Sequence, residues 1–364
     1  MDTTSVVDRV RDLIRQKGVP QKDFAAAIGL EPDKLSKSLS GRRHFSSLEL
    51  ALIAEFCNVT VDWILSGTTS PTPSMAARAN RTDAADSATI SAAVRRYSDA
   101  HEQLELLTPR PPLPALPPTH GNRFVDAAES VAAWARAQML DHGFDVVDRH
   151  QDALLAGVEA TFAVDVAVTT LPRGLDGCAW QTPSMRLLIA ARTTLWARQR
   201  FSVGHELGHL LFRDAQDLIA EPVESRAKDL TEKRANSFAA ALLMPADFLK
   251  EEAASGLSEA GFVTLVNRLF VSPTSLGWRL FNLGLISDKQ RVAWSSMTAE
   301  QSAMRVDGAE LILTERRLAD SERLPQRLAE DHLRAYRTGA TSARPLAQLF
   351  GIEPGDVIEL FGQQ

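Results

Sequence analysis

The run RQRFSVGHELGHLLF, residues 198–212, constrains this 364-residue chain more than any other stretch. Phe201, Val203, Leu207, Leu210, Leu211 and Phe212 make it a largely apolar helix that has to be buried, and the same helix carries His205, Glu206 and His209 inward. Two imidazoles and a carboxylate are costly in an apolar interior unless something compensates them. At a spacing of four the imidazoles share one helix face about one turn apart, where a single zinc ion reaches both. Glu206 projects beside them, placed to accept a proton from water that the ion activates.

A zinc site that keeps one position open for water needs a third protein ligand. In TEKRANSFAAALLMP, residues 231–245, Ala235, Phe238, Ala239, Leu242 and Leu243 form an apolar stripe, and Glu232 stands one turn before Ala235 on that side. The competing reading of Glu232 is a helix N-terminal acid favoured by the macrodipole. Asp214, Glu221 and Glu224 are nearer in sequence but outside the stripe, and stay in reserve as ligands; Asp214 is also a candidate to orient a histidine ring. The chain has only two cysteines, Cys57 and Cys178, neither in a CxxC pair, so a disulfide framework or thiolate zinc knuckle is excluded. For a donor to a developing oxyanion the residues leave Tyr97, Tyr336, Arg198, Arg200 and His150 without a preference among them.

The length suits several domains. Residues 1–67 read as an all-α bundle: Val6, Val7, Val10, Leu13 and Ile14 repeat at helical spacing, and Gly18, Gly29 and Gly41 punctuate short helices at about 21–28 and 32–39. Two more are expected at 47–56 and 61–65, the last capped by Thr60. Residues 68–122 read as a linker containing a candidate helix over 88–107, where Ile90, Val94, Tyr97, Leu104 and Leu107 give an incomplete apolar stripe, followed by six prolines between 109 and 118 that favour a stiff polyproline spacer over a packed element. Residues 123–285 read as helices, a small sheet with strands at 163–169 and 185–190 around a GLDG turn, and two further strong helices. Residues 286–364 read as an α/β extension with a strand within 309–317. The fold class is thus multidomain, an all-α bundle before a mainly helical α+β unit with a small sheet, whose metal-binding helix resembles that of zincin-like metallopeptidases.

Net charge is −6, so no global basic field holds nucleic acid, and any DNA contact has to be local. Between 34 and 43 there are four Lys or Arg and no acid, within a helix, Gly turn, helix pattern that suits a major-groove reader. Gln21 and Lys22 are phosphate candidates at the start of the first of these helices, Asp33, Lys34, Ser36 and Lys37 lie on the second, and Arg42 and Arg43 follow it. Against this, residues 1–67 hold nine basic and nine acidic residues, and Glu31 stands where a Ser or Thr cap is usual. No apolar run long enough to span a membrane is present, and the acidic N-terminal stretch does not resemble a leader, which points to the cytoplasm and, on DNA, the nucleoid.

Together, RQRFSVGHELGHLLF and EKRANSFAAALLMP resemble the ImmA/IrrE group of metallopeptidases, and PQKDFAAAIGLEPDKLSKSLSGRR resembles the helix-turn-helix domain of phage-type repressors. The first resemblance covers roughly 123–285. It implies one Zn2+ per chain on His205, His209 and Glu232, with Glu206 as catalytic base, and it suggests GLDGCAW, with Gly174 and Gly177, as a substrate-facing edge. It further implies action on one protein partner, such as a transcriptional repressor or antitoxin. The combined expectation is a DNA-binding regulatory zinc metallo-endopeptidase, with double-stranded DNA and a protein substrate as partners and homodimerisation as a route to tighter DNA binding. The alternative is a non-enzymatic transcription factor that uses the same fold as a sensor or interaction module.

Overall fold

The computed structural model describes residues 6–57, 59, 64, 84–107, 111–117, 124–147, 150–214 and 225–362. The chain divides into two compact units, Met1–Thr72 and Pro73–Gln364.

In the first unit, α1 (Val6–Lys17), α2 (Gln21–Ala27), α3 (Pro32–Leu39) and α4 (Ser47–Cys57) enclose a core of Val10, Leu13, Phe24, Leu35, Ile53 and Ile64. Gly29 ends the α2 segment with φ 65°, a left-handed conformation that a side chain would strain, and so sets the tight turn into α3. Thr60 and, apart from Ile64, the expected helix at 61–65 lie outside the described residues.

The second unit begins with α5 (Ala84–Leu107), then α6 (Phe124–Asp141), α7 (Gln151–Phe162), β1 (Val164–Thr169), β2 (Gly177–Gln181) and β3 (Arg186–Ala191). Helices α8 (Trp196–Leu211) and α9 (Ser225–Leu243) follow, then α10 (Ala246–Glu252), α11 (Glu259–Leu269) and α12 (Pro273–Asn282). The strand order is β1-β3-β2, with β3 parallel to β1 and antiparallel to β2, so that Gly177 pairs with Ala190 and Gln181 with Arg186.

The sheet is covered on both sides, and the two-residue alternation of its strands sorts side chains into two cores. Val164, Val166, Val168, Ala179, Leu188 and Ala190 face a core shared with α6 to α9. Ala167, Cys178, Trp180, Leu187 and Ile189 face Ile90, Val94, Tyr97 and Leu104 of α5 together with Leu328, Ala335 and Leu349. The incomplete apolar stripe of α5 is therefore completed by the far face of the sheet and by the C-terminal helices, and Arg96 Nη2 donates to Leu349 O at 2.8 Å. This segment, expected within a linker, is a packed layer.

The proline-rich stretch also differs from a free spacer over its described residues. Arg186 Nη2 donates to Pro114 O at 2.7 Å, Arg213 Nη1 donates to Pro117 O at 3.3 Å, and Leu116 packs on the main core. Because prolines leave their carbonyls without helical partners, the buried Arg186 and the exposed Arg213 can capture them.

The expected α/β extension is helical instead: α13 (Asp288–Trp294), α14 (Ala299–Met304), α15 (Ala309–Ala319), α16 (Gln326–Arg337), α17 (Ala343–Phe350) and α18 (Pro354–Phe361). The expected strand within 309–317 lies in α15. Its register explains why: Leu311, Glu315 and Ala319, four apart, turn one face toward Trp196, Ala197 and Phe270. The extended backbone there reduces to an isolated bridge between Val168 and Arg323. No helix among the described residues is long and apolar enough to cross a membrane.

Candidate metal centre

Helices α8 and α9 approach each other across small residues. A Cβ added at Gly204 would lie 3.3 Å from Ala239 Cβ, and one at Gly208 would lie 3.0 Å from the Phe238 ring and 3.4 Å from Ala235 Cα. The two glycines are four apart and face two alanines four apart, so the backbones close together along one seam. That closeness brings Glu232, one turn before Ala235, over the histidines of α8.

His205, His209 and Glu232 each offer one ligand atom, all within 4.8 Å of one another. The separations are 3.0 Å between the two Nε2 atoms, 3.3 Å from His205 Nε2 to Glu232 Oε2 and 3.6 Å from His209 Nε2 to Glu232 Oε1. Tetrahedral ligands at zinc-like bond lengths would stand about 3.3–3.4 Å apart, the middle of this range. Both imidazoles are buried, while Glu232 is partly open to solvent.

The outer ring nitrogens explain why the inner ones converge. His205 Nδ1 is 3.1 Å from Asn236 Oδ1, and His209 Nδ1 is 3.3 Å from Asp214 Oδ2. Each acceptor calls for a proton on Nδ1, which leaves the Nε2 lone pairs aimed at each other. Two lone pairs at 3.0 Å repel unless a cation lies between them, so the donor set fits a metal ion. Without one, a proton is the available substitute: burial lowers the affinity of His209 for it, but the Asp214 hydrogen bond and the charges of Glu206, Glu232 and Asp214 outweigh that and raise its pKa.

Asp214 is itself fixed by Arg234, whose guanidinium donates to Oδ1 and lies 4.4 Å over the Phe212 ring. Neither Arg234 nor Asn236 was singled out in the sequence, although Asn236 stands four residues after Glu232 and so on the same face of α9. Of the reserve ligands, Asp214 stands behind His209, and Glu221 and Glu224 lie outside the described residues. Replacing Asp214 with Ala is expected to weaken metal binding by about 10–100-fold while the fold is retained, as measured by competition against a chelating dye. Unchanged affinity would show that the His209 orientation is fixed by other contacts.

Glu206 is buried beside the pair and rests on Gly177, the first residue of β2, where an added Cβ would stand 2.9 Å from Glu206 Cγ and 3.0 Å from Ile189 O. The GLDGCAW segment thus contains a strand, β2, and its Gly177 matters as space for Glu206. Gly174 has φ 88° and open surroundings.

Among the oxyanion candidates, Tyr97 is buried in the far core and Tyr336 Oη donates to Gly362 O at 2.6 Å. Arg200 is buried and donates to Val146 O at 2.9 Å, and His150 Nδ1 lies 2.5 Å from Glu315. Arg198 binds Asp176, the neighbour of Gly177, at 2.8 Å. Of these five it is the one whose partner adjoins the Glu206 contact.

In the first unit, Gln21, Lys22, Asp33, Lys34, Ser36, Lys37 and Arg42 are all exposed, on α2, on α3 and just after it. Lys37 Nζ lies 3.4 Å from Asp33. Arg43 differs, because its guanidinium binds the buried Glu49 and reaches Ser38 Oγ at 3.2 Å, which ties it to the bundle. Glu31 precedes α3 without a side-chain cap, and Pro32 takes the first helical position.

Residues 171–281 match the family model of the IrrE N-terminal-like domain, and residues 10–64 match a helix-turn-helix model. The radiation response metalloprotease IrrE of Deinococcus deserti is 27% identical over 167 residues, 44% of this chain and 55% of that relative. The chain thus spans about half the length of the curated relative. The His-His-Glu cluster lies inside the region similar to the IrrE N-terminal-like domain, which follows the region similar to a helix-turn-helix domain.

Proposed function

We propose that this chain is a DNA-binding regulatory zinc metallo-endopeptidase that cleaves a specific protein partner, a transcriptional repressor or an antitoxin. The observation that carries the reading is the convergence of two imidazole lone pairs and one carboxylate beside a buried second carboxylate, Glu206. His205, His209 and Glu232 would hold the ion, three protein ligands leaving a position open. When bound, zinc supplies Lewis acidity, lowering the pKa of water and polarising a peptide carbonyl. Glu206 takes the proton from the attacking water and delivers it to the leaving nitrogen. Asn236 and Asp214 hold the rings in the tautomer that ligation needs, and the packed α8–α9 seam holds the ligands in register.

The radiation-response name of the relative supports a stress-linked role, and the helix-turn-helix domain supports action near DNA. Tethering raises the local concentration of a protease around a DNA-bound target, so affinity at the active site itself can stay modest. Comparing proteomes of cells carrying the native chain or Glu206→Gln tests the reading: one or a few proteins should persist only with the variant. A broad change across many proteins would indicate general digestion instead.

The exposed Lys37 and Arg42 are assigned to DNA backbone contact. Lys37→Ala combined with Arg42→Ala is expected to weaken DNA binding and to flatten its salt dependence by about two phosphate contacts, measured by fluorescence anisotropy over a salt series. Undiminished binding would move the contact surface elsewhere on the bundle.

A further inference from the structure

A cavity of about 840 Å³ opens where the metal centre ends. Both ligand-bearing helices continue into its wall: Ala197 and Phe201 lie two turns and one turn before His205, and Asn236 and Ala240 lie one and two turns after Glu232. Asn236 belongs to both places, because it accepts from His205 and lines the cavity. The far wall is α12, which carries Trp278, and Leu283 just past its end.

The exposed lining is mostly apolar by area, with neutral polar groups from Ser237, Ser272, Thr274, Ser275 and Asn282 interspersed, and its charges are neutralised within the protein. Arg279 binds Glu129 at one edge, and Arg198 binds Asp176 at 2.8 Å at another. A charged occupant would therefore find no free partner, whereas an apolar one would find Phe201, Ala240, Met244, Trp278 and Leu283. Trp278 is 47% exposed and carries the Arg291 guanidinium 4.0 Å over its ring. A half-exposed Trp with a stacked Arg has the composition of a binding hot spot.

The geometry points to a specificity pocket: this cavity receives a bulky apolar side chain of the protein substrate next to the scissile bond. The inference rests on the peptidase reading above and names the substrate feature that this reading leaves open. The occupant is the side chain next to a reacting carbonyl held at the His205–His209–Glu232 cluster, directed along α8 and α9 past Asn236, which joins the two places. The volume is within the range of pockets that enclose small ligands, so a large aliphatic or aromatic group fits with backbone to spare. Trp278 and Ala240 are specificity-determining residues on this view, and neither touches the reacting atoms.

The test uses the full chain loaded with cobalt(II), whose visible spectrum reports coordination and not turnover. The probes are a succinyl hydroxamate bearing an isobutyl side chain and the same hydroxamate with hydrogen in its place. The native chain is expected to bind the isobutyl compound at least about 10-fold more tightly. Ala240→Phe, which fills the cavity, should abolish that preference while leaving affinity for the unsubstituted compound intact. Trp278→Ala, at a half-exposed position, should reduce the preference and serves if Ala240→Phe fails to fold. Equal affinity of the native chain for the two compounds would overturn the pocket, as would a preference unchanged in the variants. A chain whose cobalt spectrum responds to neither hydroxamate would overturn the metal-centre reading, and the substrate role of the cavity would fall with it.

Discussion

Glu206→Gln is expected to keep its metal and its fold yet to cleave the chain's protein target about 10²–10⁴-fold more slowly. The substitution is nearly isosteric, so the packing of the side chain on Gly177 is preserved and the ligand triangle is undisturbed. What disappears is proton affinity. An amide cannot accept the proton of the attacking water or return it to the leaving nitrogen. The measurement is a cleavage time course on the partner that persists in cells carrying the variant, with metal content determined on the same preparation. A variant that holds metal and cleaves at the native rate would remove Glu206 from the role of base. A variant that loses metal would show instead that Glu206 supports ligation.

The close approach to Gly177 makes a related structural point. Glu206 is held from beneath by a strand that had no separate signature in the sequence. GCAWQ is a five-residue run between a Gly turn and a second strand, too short for alternation to separate it from the loop. Its neighbours β1 and β3 were legible because longer β-branched and apolar runs marked them. The metal cluster was legible for a different reason: four-residue spacing on a helix fixes a shared face whatever surrounds it, and the apolar stripe of α9 fixed which side Glu232 took.

Contacts made between distant segments were not legible. The stripe of Ile90, Val94, Tyr97 and Leu104 announced a buried face on α5, but its partners come from β3 and from residues beyond 327. Sequence periodicity states that a face is buried without stating against what. In α15 the short apolar run Leu311-Ile312-Leu313 is compatible with a strand, and the four-residue repeat of Leu311, Glu315 and Ala319 prevails because Trp196 and Phe270 offer a surface to that face. The prolines of 111–117 were read from their own stiffness, whereas Arg186 and Arg213, distant in sequence, decide where the carbonyls go. In the helix-turn-helix unit, local chemistry placed the exposed residues of α3 well, but Arg43 is taken up by Glu49, six residues later and on another helix.

Glu232→Ala should have the largest effect on metal content. Removing it leaves two imidazoles, both from α8, and the loss of affinity is expected to exceed the ~10–100-fold associated with an outer partner such as Asp214. The native chain should hold about one zinc per chain after gentle purification, and the variant far less. Thermal unfolding gives a second readout, because an ion that binds only the folded chain stabilises it. At a free concentration 100 times its dissociation constant the gain is about 2.7 kcal/mol, so zinc should raise the midpoint of the native protein and leave that of the variant nearly unmoved. The variant without metal should fold comparably to the native chain without metal, since Glu232 is partly solvent-exposed and its removal leaves the Gly204–Ala239 and Gly208–Ala235 contacts intact. If Glu232→Ala retains a full complement of zinc with native affinity, the third ligand lies elsewhere. Asp214 is then the first alternative to test, because it already stands 3.3 Å from His209 Nδ1 and would need to exchange its present hold on that ring for the ion itself.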